Sequence, residues 1–86
     1  MKQSEILKRI TIILIKKLNR AESEITLSAI PIMDLGADSL DLVEIVMEIE
    51  AAFGIKISDE EVGGGSTIQD IVNLIEKKLS KEGDKK

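Results

Sequence analysis

The run Asp34-Leu35-Gly36-Ala37-Asp38-Ser39-Leu40-Asp41 is the part of this 86-residue chain best equipped for chemistry. It puts one serine hydroxyl at the start of an amphipathic segment, just after a glycine-containing turn and between two carboxylates. A helix N-terminus has unpaired N–H groups and a partial positive charge, which together favour an anion such as a phosphate. A serine in that place can cap the helix, act as a nucleophile, or carry a covalently attached phosphate group. Taken alone, these eight residues favour capping, on the preference of Ser and Asp for that position.

Composition removes most competing chemistry. The chain has no His and no Cys, which excludes Ser-His-Asp catalysis, cysteine nucleophiles, zinc sites and disulfides. The absence of disulfides is compatible with a reducing cytoplasm, the expected location. Glu5 precedes any apolar run, and no stretch approaches 18 consecutive apolar residues, so neither a signal peptide nor a membrane span is expected. Asp34 to Asp41 lacks the spacing and the terminal Glu of a calcium loop, and no metal site is expected. A length of 86 residues allows one small domain with one modest core. Such a chain is better suited to carrying or binding something than to catalysing alone.

The net charge of −4 conceals an asymmetry. Residues 34–61 hold nine acids and one base, Lys56, for −8; the rest hold seven acids and eleven bases, for +4. An acidic stretch of this kind is either a solvated helix face or a field that steers basic partners. Nucleic acid is disfavoured as a partner, because a phosphate backbone needs Lys and Arg clustered near the recognition element.

The elements that must position Ser39 follow from apolar spacing. Residues 4–18 read as a helix with Ile6, Ile10, Ile13 and Leu14 on one face, Leu7 and Leu18 beside them, and Asn19 as its stop. A long connection follows over 21–36, in which Ile25, Leu27, Ile30, Ile32 and Leu35 suggest a loop pinned to the core. Residues 39–53 form the best-defined helix, closed by Gly54, and Ile55-Lys56-Ile57 alternates like a short extended piece. Ser58 and Glu61 fit a capping box, so a short third helix is expected to start there and to end at Gly63, Gly64 and Gly65. Ser66 and Gln69 fit a second box, opening a helix to about Leu79 with Ile68, Ile71, Val72, Ile75 and Leu79 inward. Residues 81–86 are expected to be a polar, disordered tail behind a domain spanning 1–80.

The helix over 39–53 carries more apolar residues than one buried face needs. At 100° per residue, Leu42, Ile45, Val46, Ile49, Ala52 and Phe53 gather on one side. Leu40, Val43 and Met47 gather on another, beside a stripe of Asp41, Glu44 and Glu48 directed away from the core. Leu40 and Val43 either pack under the long loop or form an exposed apolar strip bordered by acids, the form of a helical docking site.

The segment Asp34-Leu35-Gly36-Ala37-Asp38-Ser39-Leu40-Asp41-Leu42-Val43-Glu44-Ile45-Val46 resembles the attachment region of type II bacterial acyl carrier proteins. The resemblance continues through Glu50-Ala51-Ala52-Phe53-Gly54-Ile55-Lys56-Ile57-Ser58-Asp59-Glu60-Glu61 and more loosely to Thr67-Ile68-Gln69-Asp70. It implies an all-α fold, a four-helix acyl-carrier-like bundle with a long first loop and a short third helix. It also implies phosphopantetheine held covalently on Ser39, with Asp38 and Leu40 flanking the attachment point, and an acyl group carried as a thioester on the arm's thiol.

The implied partners are a phosphopantetheinyl transferase with its Mg²⁺ and the basic surfaces of fatty-acid synthesis or acyltransferase enzymes. The docking surface would comprise Asp38, Leu40, Asp41, Val43, Glu44, Met47, Glu48, Asp59 and Glu60, on a monomer that is itself no enzyme. Gly36-Ala37-Asp38 favours the acyl branch over peptidyl carriers, and a specialised carrier for a polyketide, D-alanyl or aminoacyl cargo is one alternative. A helical adaptor without a prosthetic group is the remaining alternative. The chain departs from the family pattern at Pro31, at Met33 and at the glycine triplet, which bears on the wall of the acyl cavity.

Overall fold

The computed structural model describes residues 1–58 and 60–84, with the side chains of 81–84 left aside. Four α-helices and one 3₁₀ turn make up the described chain, without a strand: α1 (Gln3–Leu18), the 3₁₀ turn (Glu22–Glu24), α2 (Pro31–Asp34), α3 (Ser39–Phe53) and α4 (Ile68–Asp84). α1 packs on both α3 and α4, and the short α2 leans on α3.

The helices form where spacing and caps demand. α1 buries Ile6, Ile10, Ile13 and Leu14, and stops at Asn19, whose φ of 55° places it in the left-handed region that ends helices. α3 buries Ile45, Ile49 and Phe53 with Leu42 and Val46 half-buried, and ends at Gly54 with φ 68°. α4 adds Ile68, Ile71, Val72 and Ile75. Aliphatic side chains so enclosed contribute about 1.5–3 kcal/mol each, which is what holds a domain this small together. Two expected inward positions lie outside this core: Ala52 and Leu27 are exposed.

The long connection is pinned, and one backbone ladder shows how. The N–H groups of Ile68 and Gln69, left over at the start of α4, donate to the carbonyls of Ala29 and Leu27, both at 2.9 Å. Ile25, Ala29 and Leu35 are buried in the same core cluster. Within the connection lies α2, which sequence spacing did not predict. Pro31 is its first residue, where the missing N–H is no loss, and Asp34 Oδ2 accepts from Ile30 N at 2.7 Å.

The third helix expected from Ser58 does not form. Glu61 does cap Ser58, accepting from its N–H at 2.9 Å, but residues 60–62 make only a turn and bend. The glycines that follow supply no helix propensity to extend the single turn. The fourth helix is therefore α2, not a helix after Ser58. The second capping box is shifted by one residue: Thr67 and Asp70 exchange backbone-to-side-chain bonds at 3.0 Å each, while Ser66 Oγ accepts from Gly63 N. α4 also runs past Leu79 to Asp84, so the backbone of 81–84 is helical where a polar tail was expected. Lys85 and Lys86 lie outside the described residues.

Candidate functional site

The turn before Ser39 is built by backbone bonds that leave the serine outside. Leu35 N and Ala37 N both donate to Pro31 O, at 3.1 and 3.0 Å, folding the chain back over α2. Gly36 takes φ 77°, a conformation that suits glycine. Arg20 lies over it: Nε donates to Leu35 O at 3.1 Å, and a Cβ at Gly36 would come 3.0 Å from the guanidinium. Arg20 thus clamps the turn from the end of α1, a role its sequence position near a helix C-terminus did not disclose.

The helix cap is Asp38, not Ser39. Asp38 Oδ1 accepts from Asp41 N at 2.8 Å, and Asp41 Oδ2 accepts from Asp38 N at 3.2 Å, a reciprocal box of two aspartates. Ser39 follows as the first helical residue, exposed, and its hydroxyl makes no hydrogen bond among the described residues. The N–H groups of Ser39 and Leu40 have no acceptor there either. Of the three uses of this serine, capping is removed, and an accessible hydroxyl beside unpaired helix donors remains. Those free donors and the dipole fit a phosphodiester on Ser39.

Beside Ser39 opens an apolar cavity of about 310 Å³ between α3 and the 57–64 segment. Ile32, Leu42, Val46, Ile57 and Val62 contribute to its lining, and Gly64 closes one side, its bare Cα placing a notional Cβ 3.4 Å from Ile32 Cδ1. Glu50, also on the lining, ties the walls together by accepting from Ile57 N at 2.7 Å.

The second stripe of α3 is exposed. Leu40, Val43 and Met47 stand 64%, 50% and 60% accessible, and Val43 and Met47 also reach the cavity rim. The adjoining acids are less free than their spacing implied. Lys17 of α1 reaches Glu44 at 3.3 Å and Glu48 at 2.9 Å, a contact that helical periodicity within α3 cannot reveal. Glu60 is exposed in the turn, and Asp59 lies outside the described residues.

Residues 8–75 match the family described as phosphopantetheine attachment site. The chain is 48% identical over 77 residues to an acyl carrier protein of Thermotoga maritima, covering 90% of this chain and 95% of that one. It also superposes on a solved structure of the acyl carrier protein from Enterococcus faecalis, with a TM-score of 0.76 at 29% identity over 91% of this chain and 99% of that one. These matches define the class, a carrier with a phosphopantetheine attachment domain and not an enzyme. The chain belongs to the acyl carrier protein family. Among the described residues, no helix is long and apolar enough to cross a membrane.

Proposed function

We propose that Ser39 carries phosphopantetheine as a phosphodiester and that the protein delivers acyl groups, held on that arm as thioesters, to fatty-acid synthesis enzymes. The observation that carries this reading is the state of Ser39: exposed, relieved of capping by Asp38, and with a hydroxyl free of hydrogen bonds among the described residues. In this reading a separate transferase activates the hydroxyl, so the chain needs no histidine of its own. Phosphopantetheine supplies the thiol that a cysteine-free protein lacks. Asp38 and Asp41 fix the helix start, Arg20 fixes the turn behind it, and Leu40 presents an apolar contact next to the attachment point. The apolar cavity beside Ser39 supports an aliphatic cargo over a charged aminoacyl one.

The partners of this reading are a phosphopantetheinyl transferase and enzymes with basic docking surfaces, working in the cytoplasm with a monomeric carrier. They would meet the strip of Leu40, Val43 and Met47 and the acids Asp38, Asp41, Glu44, Glu48, Asp59 and Glu60. Incubation with coenzyme A, Mg²⁺ and a phosphopantetheinyl transferase should add one phosphopantetheine mass to the intact protein. Ser39→Ala should abolish the gain and keep the helix content. A gain that survives Ser39→Ala, or maps to Ser58 or Ser66, overturns the assignment.

A further inference from the structure

Lys17 stands in the last turn of α1, yet its ammonium is directed at α3. It bridges Glu44 and Glu48, two carboxylates at a spacing where like charges on a helix repel. Bonds to Glu48 and then Glu44 hold the Lys17 ammonium above its ordinary 10.5. All three side chains remain partly accessible, at 26%, 46% and 43%, so another cation can reach the pair. The other end of the strip differs. Asp38 and Asp41 form no ion pair among the described residues. Each uses one carboxylate oxygen on the other's N–H and leaves the second oxygen open. The strip therefore has an open acidic end beside Ser39 and a far end that already holds an ammonium. Lys17 itself demonstrates what the far end accepts: one cation shared by two carboxylates.

We propose that Lys17 is a specificity-determining residue of this carrier, occupying the cation position between Glu44 and Glu48 so that a basic partner gains from that end only by displacing it. The proposal deepens the reading of α3 as the docking face and rests on it. A partner whose cations reach only Asp38 and Asp41 docks without competition. A partner whose basic row extends to Glu48 must exchange one ion pair for another, and its net gain is small. An arginine is better fitted to make that exchange than a lysine, because its planar fork binds a carboxylate through two N–H groups. Lys17 thus weights recognition toward the Ser39 end of α3 and toward partners that present arginine at the far end.

The test reads docking on protein that cannot be loaded. In a Ser39→Ala background, binding to a phosphopantetheinyl transferase is measured by titration calorimetry for four proteins: the parent, Lys17→Met, Glu48→Gln and the double variant. Lys17→Met should tighten binding about two- to fivefold, the range one exposed ion pair is worth. Glu48→Gln should cost more affinity when Lys17 is absent than when it is present. Both differences should shrink as salt rises, since exposed charges are screened beyond about 10 Å at 0.1 M. Melting curves confirm that each variant is folded, and Lys17→Gln repeats the comparison with a polar side chain. Weaker or unchanged binding in both Lys17 variants, or an equal Glu48→Gln cost in the two backgrounds, overturns the proposal. If none of the proteins binds, it falls together with the docking face. Loading of the wild-type serine, followed separately by intact mass, reports on the attachment reading alone.

Discussion

Two box-like sequences in this molecule, Asp38-x-x-Asp41 and Ser58-x-x-Glu61, have opposite outcomes. At Asp38 and Asp41 the reciprocal bonds open a fifteen-residue helix. At Ser58 and Glu61 only half of the box closes: the carboxylate accepts from both the backbone N–H and the hydroxyl of Ser58, Glu61 N donates to the Ser58 carbonyl at 3.1 Å and not to its hydroxyl, and nothing longer than a turn follows. A cap satisfies donors that are already orphaned; it does not provide the next turns. After Asp41 come Leu42, Val43, Glu44 and Ile45, which can bury a face and propagate. After Glu61 come Val62 and three glycines, which can bury one side chain and then lose backbone entropy at every step. The contrast suits the two regions: one holds Ser39 at the start of a long helix, while the other forms a side-chain-poor wall of the cavity beside it.

The largest way to break the contrast is to remove an anchor from each region. Ile49, 1% accessible in the middle of α3, should cost about 2–5 kcal/mol on truncation to Ala. Against a total of about 5–15 kcal/mol, that brings the domain near unfolding. Val62, the one buried residue among the described residues of 58–66, should cost about 1.5 kcal/mol as Val62→Ala, by the two methyl groups lost. Denaturant midpoints measure both. Equal losses would mean that the turn is as much a part of the core as the helix.

The caps themselves should rank next. Asp38→Ala should cost about 0.5–2 kcal/mol, because a helix of full length depends on that box. Ser58→Ala should cost less, since the main acceptor bond, from its N–H to Glu61, survives the change and no helix follows. Chemical denaturation of the two variants decides it, and a larger loss at Ser58 would reverse the comparison.

Much of this arrangement was legible from spacing and residue type. The buried faces of α1 and α4, the stops at Asn19 and Gly54, and the two-sided character of α3 all follow from periodicities local to one helix. Ser66-x-x-Gln69 and Thr67-x-x-Asp70 are overlapping boxes one residue apart, and only the packed position of Ile68 selects the second. α2 had a signal, Pro31 three residues before Asp34, hidden by the loop-like composition around it. The roles of Lys17 and Arg20 had none. Each reaches from the end of α1 to another segment, at a distance and angle that exist only once α1 has packed on α3. Side-chain pairing between helices is a property of the packed assembly and leaves no period in the sequence.

Restoring side chains to the glycine run sharpens the same comparison. None of Gly63, Gly64 and Gly65 has a positive φ, and an added Cβ meets nothing within 4 Å at Gly63 and Gly65. Gly63→Ala and Gly65→Ala should each stabilise by about 0.4–1 kcal/mol, mainly by restricting the unfolded chain. Circular dichroism should show added helix if the box at Ser58 needs only propensity to propagate. In the wild-type protein, amide exchange over 62–66 should outpace that over 42–49. Equal protection in the two segments would make the glycine run a rigid turn.

The smallest expected effect is a dependence on acid at Glu61. Glu61 lies below its ordinary carboxyl value of 4.5, chiefly through the bond from Ser58 N–H and then through Lys78 Nζ at 3.0 Å. A folded-state value lower than the unfolded one means that the folded turn binds fewer protons. Its contribution is therefore complete above pH 4.5 and is lost as pH falls from there through the lower folded value. Glu61→Gln keeps an oxygen to accept from Ser58 but gives up the charge that Lys78 meets. The wild type should melt slightly above this variant at pH 7, and the gap should close as the pH drops below 4.5. Because Lys78 belongs to α4, the loss is one of docking between the turn and that helix. A gap that persists unchanged into acid would assign the difference to side-chain shape and not to charge. The polar part of the turn's stability would then come from its hydrogen bonds and not from charge.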